Sequence, residues 1–322
     1  MTLWLDLLGA DIGTIGDRYR TRVLTAGLPS APPVLLLHGQ GGSLENFRHN
    51  VAALAERYRV VAMDLLWHGR SAGPPVEPGL IPVWLDQVTD VLDTLQIGRC
   101  HLIGQSLGGW VATTLALRHP ERVSGLVLTT PMGLDATDTP PDPAALAPVL
   151  KAQLAALDQL DLERVRERMQ SLFADPGRNL DDEITRLRLA LYSDPVVNHA
   201  LREVALAYLG GRATDPYRLG PDDLARLTVP TLLYWGTANF GGSEAGGAVP
   251  DPPRRVLPLR RGGALGSVRT PGRVQPDRVG IPGWAGAAER FFASGPTGTC
   301  CSNTPVNCAD SVGPETCRYS SS

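Results

Sequence analysis

The residues Gly104-Gln105-Ser106-Leu107-Gly108, with Gly109 following, set a serine between glycines where an apolar run, "HLIGQS", meets a helical one, "WVATTLALRHP". A sharp strand-to-helix turn forces such a serine into strained backbone angles, and the positions two before and two after it must be small to avoid collision. The chemistry available is attack of the hydroxyl on a carbonyl, provided an imidazole takes the proton and backbone N–H groups hold the oxyanion. "LLLHGQGGSLENF" (35–47) offers the second part, a strand ending in His38-Gly39 and a glycine-rich loop. There the N–H of Gln40, with Gly41 as the alternative, is expected to act beside that of Leu107. His38 is expected to brace this loop by hydrogen bonds. His68, in "MDLLWHGRS" (63–71), is the best-placed remaining histidine but reads as structural. His49, His101, His119 and His199 read as core or surface residues.

These groups need a scaffold that brings loops together at one edge. "PPVLLLHG" (32–39), "YRVVAMDL" (58–65), "RCHLIGQS" (99–106), "VSGLVLTTP" (123–131) and "VPTLLYWG" (229–236) are short, continuously apolar runs ending in polar or glycine-rich turns. Strands covered on both faces require that pattern. Helical stretches lie between them, so the fold class expected is α/β, a doubly wound, mostly parallel sheet with ligands beyond the carboxyl ends of its strands. The expected organisation is a first part of the core over residues 1–134, a helical cap over 135–227, a returning core strand at 228–239 and an unrelated tail over 240–322.

Lys plus Arg number 30 against 33 Asp plus Glu, a formal net charge of -3. That balance leaves no electrostatic footprint for nucleic acid or an anionic membrane, so the expected partner is a small molecule. The start, "MTLWLDLLGADIG", lacks a basic n-region and its apolar run is broken by Asp6, so a cytoplasmic location is expected. A homo-oligomer is compatible with this composition. Cys100 stands alone in the first part, whereas Cys300, Cys301, Cys308 and Cys317 crowd the tail with spacings that match no zinc pattern. No metal or other cofactor is expected.

In order, the HG-x-G loop, the D-x-x-x-H-G-x-S loop, the serine elbow, "HPERVSGLVLTTP" and "VPTLLYWG" resemble the α/β-hydrolase family over residues 20–239. Within it, "ENFRHNVAALAERYRVVAMD" and "DEITRLRLALYSDP" are similar to the hydrolases of meta-cleavage products, which split a carbon–carbon bond beside a carbonyl. The resemblance implies that Asn46 and Arg188 contact an anionic dienoate. Read as residues alone, Asn46 is equally a helix cap and Arg188 a solvated arginine. Ser106 rather than Asp at the elbow argues against haloalkane dehalogenase and epoxide hydrolase chemistry. A carboxylesterase is the alternative activity, and a non-catalytic ligand-binding homologue the alternative class. The family's W-G-x-x-D acid appears here as Trp235-Gly236-Thr237-Ala238-Asn239, so Asp135, just past the preceding strand, is the candidate carboxylate.

The base is missing. The family resemblance implies a late strand, a histidine in a G-H-W-like turn and a closing helix, yet the last histidine is His199. Synonymous codons exist for Val256 to Pro282 that, with the first base dropped and the first base of Gly283 added, read "FSLCAEAGHWVQYEHPDEFNRIVSEFL". The middle base of each codon is nearly fixed, so free third bases cannot easily manufacture that match. The sequence beyond about Asn239 therefore reads as a frameshifted translation, with the lost histidine spanning the codons of Ala264 and Leu265. A chain so truncated is expected to leave one sheet edge uncovered and to be poorly folded or inactive.

Overall fold

The computed structural model describes residues 3–71, 73–76, 80–134, 143–172, 180–209, 217–235 and 255–258. Eight strands form a single sheet in the order β1-β2-β4-β3-β5-β6-β7-β8. They are β1 (Asp11–Ile15), β2 (Thr21–Ala26), β3 (Pro33–Leu37), β4 (Arg59–Met63), β5 (Cys100–Gln105), β6 (Val123–Thr129), β7 (Thr231–Trp235) and β8 (Arg255–Pro258). From β4 through β3, β5 and β6 to β7 every neighbour pair is parallel, while β1, β2 and β8 attach antiparallel at the two edges. The mostly parallel sheet expected from the apolar runs is thus what forms.

Continuous hydrophobicity in these runs is resolved into two cores. Along β3, Leu35 and Leu37 turn to a core with Met63, Leu102, Leu126, Trp84, Val88, Val111 and Leu115. Val34 and Leu36 turn to the other, with Val60, Ala62, Ile103, Val127, Val51 and Leu54. Alternation of period two puts successive side chains on opposite faces, and both faces are covered, so both sets must be apolar. The first face is covered by α3 (Leu80–Thr94) and α4 (Leu107–Arg118), the second by α1 (Leu3–Asp6) and α2 (Arg48–Ala55).

Between β6 and β7 the chain builds the helical cap from α5 (Pro143–Asp158), α6 (Leu162–Gln170), α7 (Asp182–Tyr192) and α8 (Pro195–Leu209), and then the short α9 (Pro221–Ala225). The cap has its own small core of Ala156, Leu157, Val165, Met169, Ile184, Tyr192 and Leu201. Polar contacts fasten it to the base of the molecule: Arg48 pairs with Asp181, and the Leu3 N–H donates to Glu183. Among the described residues no helix is long and apolar enough to cross a membrane.

Two features depart from the sequence reading. The β1–β2 hairpin went unread because β1, "DIGTI", is mostly exposed and carries no apolar run. Though the tail shows almost no helix or strand periodicity, Arg255–Pro258 pairs antiparallel with β7, Val256 opposite Tyr234 and Leu257 opposite Leu233. Two β-favouring residues suffice at an edge, and Pro258, having no N–H to donate, is tolerated there. The sheet edge beyond β7 is therefore occupied. The rest of the tail, including Cys300, Cys301, Cys308 and Cys317, lies outside the described residues, as does Asp135.

Candidate active site

Ser106 follows β5 directly and has φ 51° and ψ -113°, a strained conformation for a residue with a side chain. Its neighbours explain how the turn is held. The Ser106 N–H donates to Thr129 O at 3.0 Å and Ser106 O accepts from the Met132 N–H at 3.0 Å. A Cβ at Gly104 would lie 2.4 Å from Gly108 O, and one at Gly108 only 2.2 Å from Leu37 O. The glycines at both positions are therefore demanded by backbone contacts.

The loop after β3 reaches the same point. Gly39 packs so closely that a Cβ there would sit 3.2 Å from Ser106 Cβ, and the Gly108 N–H donates to His38 O at 3.1 Å. Gly39 to Gly42 closes a turn through Gly42 N–H to Gly39 O, 2.9 Å, with Gly41 at φ 68°. Among the described residues, neither the Gln40 nor the Leu107 N–H is taken by an acceptor. Leu107 directly follows Ser106, and Gln40 follows the Gly39 that packs against Ser106.

His38 is fully committed to this loop. Its Nδ1–H donates to Gly39 O at 2.8 Å and its Nε2 accepts from the Leu65 N–H at 3.0 Å. Burial holds its pKa well below the usual histidine value, and the nearby His68 and Arg188 charges add to that. His68 donates Nδ1–H to Leu66 O at 2.9 Å, which leaves Nε2 an acceptor 3.3 Å from the Gln40 carboxamide. The Gln40 atom facing His68 Nε2 is Oε1, and Gln40 Nε2 is buried without a partner among the described residues. None of the six histidines hydrogen-bonds Ser106 among the described residues; His38 is held by Gly39 and Leu65, and His68 by Leu66 and Gln40.

Burial lowers the His68 pKa from 6.5 to about 4, with the Leu66 carbonyl opposing and the Arg188 charge adding to the fall. The folded pKa is depressed, so the stability linked to this group is present above pH 6.5 and is lost as pH falls through about 4. The full shift corresponds to roughly 3 kcal/mol. Urea unfolding of the wild type is expected to weaken from pH 7 to pH 4, and His68→Gln to flatten that dependence; parallel curves for the two proteins would count against it.

Beneath the loop lies a charged brace that the sequence reading missed. Asp64, fully buried, accepts from the Leu44 N–H at 2.7 Å, the Arg70 N–H at 2.9 Å and Arg22 Nη1 at 3.2 Å. Arg22 Nη2 reaches Glu45 Oε1 at 2.5 Å. Burial drives both carboxyls up. In Glu45 the Arg22 hydrogen bond and charge outweigh it and hold the pKa below the ordinary value, whereas in Asp64 burial prevails. Asp64 belongs to the D-x-x-x-H-G-x-S loop, but nothing local in the sequence marks Arg22 as its partner.

Asn46 and Arg188 meet across the cap boundary. Arg188 Nη2 donates to Asn46 Oδ1 at 2.7 Å, and the Ser43 N–H donates to the same oxygen at 3.4 Å. Asn46 therefore completes the capping box of the short turn Leu44–Phe47 and is a partner of Arg188, while the helix Arg48–Ala55 has Phe47 at its N-cap. The solvated-arginine reading fails, because Arg188 is only 6% exposed and its guanidinium faces Tyr192 at 5.9 Å from the ring centre.

Residues 32–241 match the alpha/beta hydrolase fold family. The chain belongs to the α/β-hydrolase family. Among curated members, a dihydrolipoyllysine-residue acetyltransferase component of an acetoin cleaving system from Pseudomonas putida is 35% identical over 69% of this chain and 55% of its own length. A 2-hydroxymuconate semialdehyde hydrolase from Pseudomonas sp. strain CF600 is 38% identical over 38% of this chain and 42% of its own. The chain thus spans about half the length of these two relatives. Among solved structures, a 2-hydroxy-6-oxo-6-phenylhexa-2,4-dienoate hydrolase from Rhodococcus sp. strain RHA1 superimposes with a TM-score of 0.61 at 27% identity, covering 72% of this chain and 83% of that one. Membership in this hydrolase family, with meta-cleavage product hydrolases among its relatives, is what the sequence resemblance implied.

Proposed function

We propose that this α/β-hydrolase is built to cleave a carbon–carbon bond beside a carbonyl in a small dienoate, with Ser106 as nucleophile or as the group that positions water. Gln40 and Leu107 N–H groups would stabilise the oxyanion and Asn46 and Arg188 hold the carboxylate. Water is added across the bond: the carbonyl carbon leaves as a carboxylate and the departing carbon takes a proton. The observation that carries this reading is the buried Arg188, joined to Asn46 at 2.7 Å beside the oxyanion loop. A buried cation in an acyl-transfer site is costly unless an anion arrives to meet it.

The acid and the base are assigned with the same reading. Asp135 is the candidate acid, and the base is written in the gene one base out of the frame translated here, across the codons of Ala264 and Leu265. Resequencing the segment encoding Trp235 to Gly247, with a mass spectrum of the natural tail, tests this. A clean open frame matching the tail would overturn it.

Frame-restored protein is expected to bleach a coloured dienoate. Removing the cation by Arg188→Met is expected to raise the KM for that substrate about 10- to 100-fold, the range for a hydrogen bond to a charged group. Rapid turnover of p-nitrophenyl esters with dienoates left untouched would instead establish a carboxylesterase. Ligand binding with no fluorophosphonate labelling of Ser106, in a protein whose tail is confirmed, would establish a non-catalytic binder.

A further inference from the structure

Arg188 is not the only buried cation in the cap. Arg168, on α6, is also only 6% exposed. Its Nε–H donates to Gln153 Oε1 at 2.9 Å and its Nη1 to Ser171 Oγ at 3.2 Å. No carboxylate pairs with Arg168 or Arg188 among the described residues. A guanidinium carries five N–H donors. Arg188 spends one on Asn46 and Arg168 two on Gln153 and Ser171, so donors remain on both.

Arg168 is tied to the oxyanion loop. Gln153 Nε2 lies 3.4 Å from the Tyr192 hydroxyl, which donates to Gly41 O at 3.2 Å. Gln153 also lies against Gly41, where an added Cβ would be 3.2 Å from its Nε2. Tyr192 stands between the two cations, its ring facing Arg188 and its hydroxyl facing the Gln153 that Arg168 grips. Burial pushes the Arg168 pKa down, the Tyr192 charge opposes it and the Arg188 charge adds to the fall, as expected for two cations sharing a low-dielectric space.

We propose that Arg168 forms a second anion subsite, separated from Arg188 by Tyr192, so that the preferred ligand is a planar dienoate carrying a second carboxylate. A single carboxylate between the cations would be blocked by the Tyr192 ring, whereas a ligand acidic at both ends answers both charges. This rests on the dienoate reading above, in which Arg188 takes the first carboxylate.

Calorimetric titration of the full chain at low ionic strength, with sorbate as the monoanion and trans,trans-muconate as the dianion, tests it. Muconate is expected to bind at least tenfold more tightly than sorbate. Arg168→Met is expected to bring muconate to the level of sorbate and leave sorbate within twofold, whereas Arg188→Met weakens both. Equal affinities in the unsubstituted chain overturn the second subsite, and that comparison needs no variant to fold. If sorbate does not bind at all, the carboxylate-binding reading of Arg188 falls, and this proposal with it.

Discussion

Deleting one base between the codons for Asn239 and Val256 is expected to raise turnover of the preferred substrate by at least about 10³-fold over the chain as written. The serine and both candidate oxyanion donors already lie together, but both histidines nearest the loop have their ring nitrogens engaged by Gly39, Leu65, Leu66 and Gln40. A serine hydroxyl without a base is a weak nucleophile near neutral pH. Removing the nucleophile or the histidine of a serine triad leaves only the contribution of binding and the oxyanion hole, ~10³–10⁴ above water. Steady-state rates on a dienoate and a p-nitrophenyl ester, compared between the two proteins at equal folded fraction, decide the matter. Comparable rates in the two would remove the case for a base encoded out of frame.

Gly108→Ala is expected to cost about 3 kcal/mol or more, at the upper end of what overpacking does. The added methyl would stand 2.2 Å from Leu37 O and 2.7 Å from His38 O, and both are backbone atoms at the end of a central strand. Neither can swing away as a side chain would. The Gly108 N–H bond to His38 O would be strained by the same displacement. Thermal unfolding should show a midpoint lower by on the order of 10 °C. Gly98→Ala supplies the control, since a Cβ there meets nothing within 4 Å and its φ is not in the left-handed region. A Gly108→Ala melt that coincides with the Gly98→Ala melt would show that the elbow relaxes more easily than its packing implies.

What was legible beforehand divides by the range of the interaction that produces it. The central strands could be read because burial on both faces demands unbroken runs such as "PVLLL" and "GLVLT". The elbow was legible because steric demands on Gly104 and Gly108 arise within a few residues of Ser106. Asn46 was readable as a capping residue from local spacing alone, while its bond to Arg188 spans 142 positions and went unread; family resemblance implied only that each contacts a dienoate. Tyr192, Gln153 and Arg168 gave no signal, because each lies in an ordinary amphipathic helix. Their roles exist only once α5, α6 and α7 are packed over Gly41. The strand at Arg255–Pro258 was missed for a related reason, its partner β7 being what turns a short "RVLP" into an edge.

The contact between Gly108 N–H and His38 O joins the elbow to the oxyanion loop without help from any later segment. If Gln40, Leu107 and Arg188 act as proposed, charge stabilisation and ligand grip are inherited separately from proton transfer. A lineage that loses the imidazole keeps a receptor for the same molecules, on which selection can still act. A compensating single-base change would then return catalysis in one step.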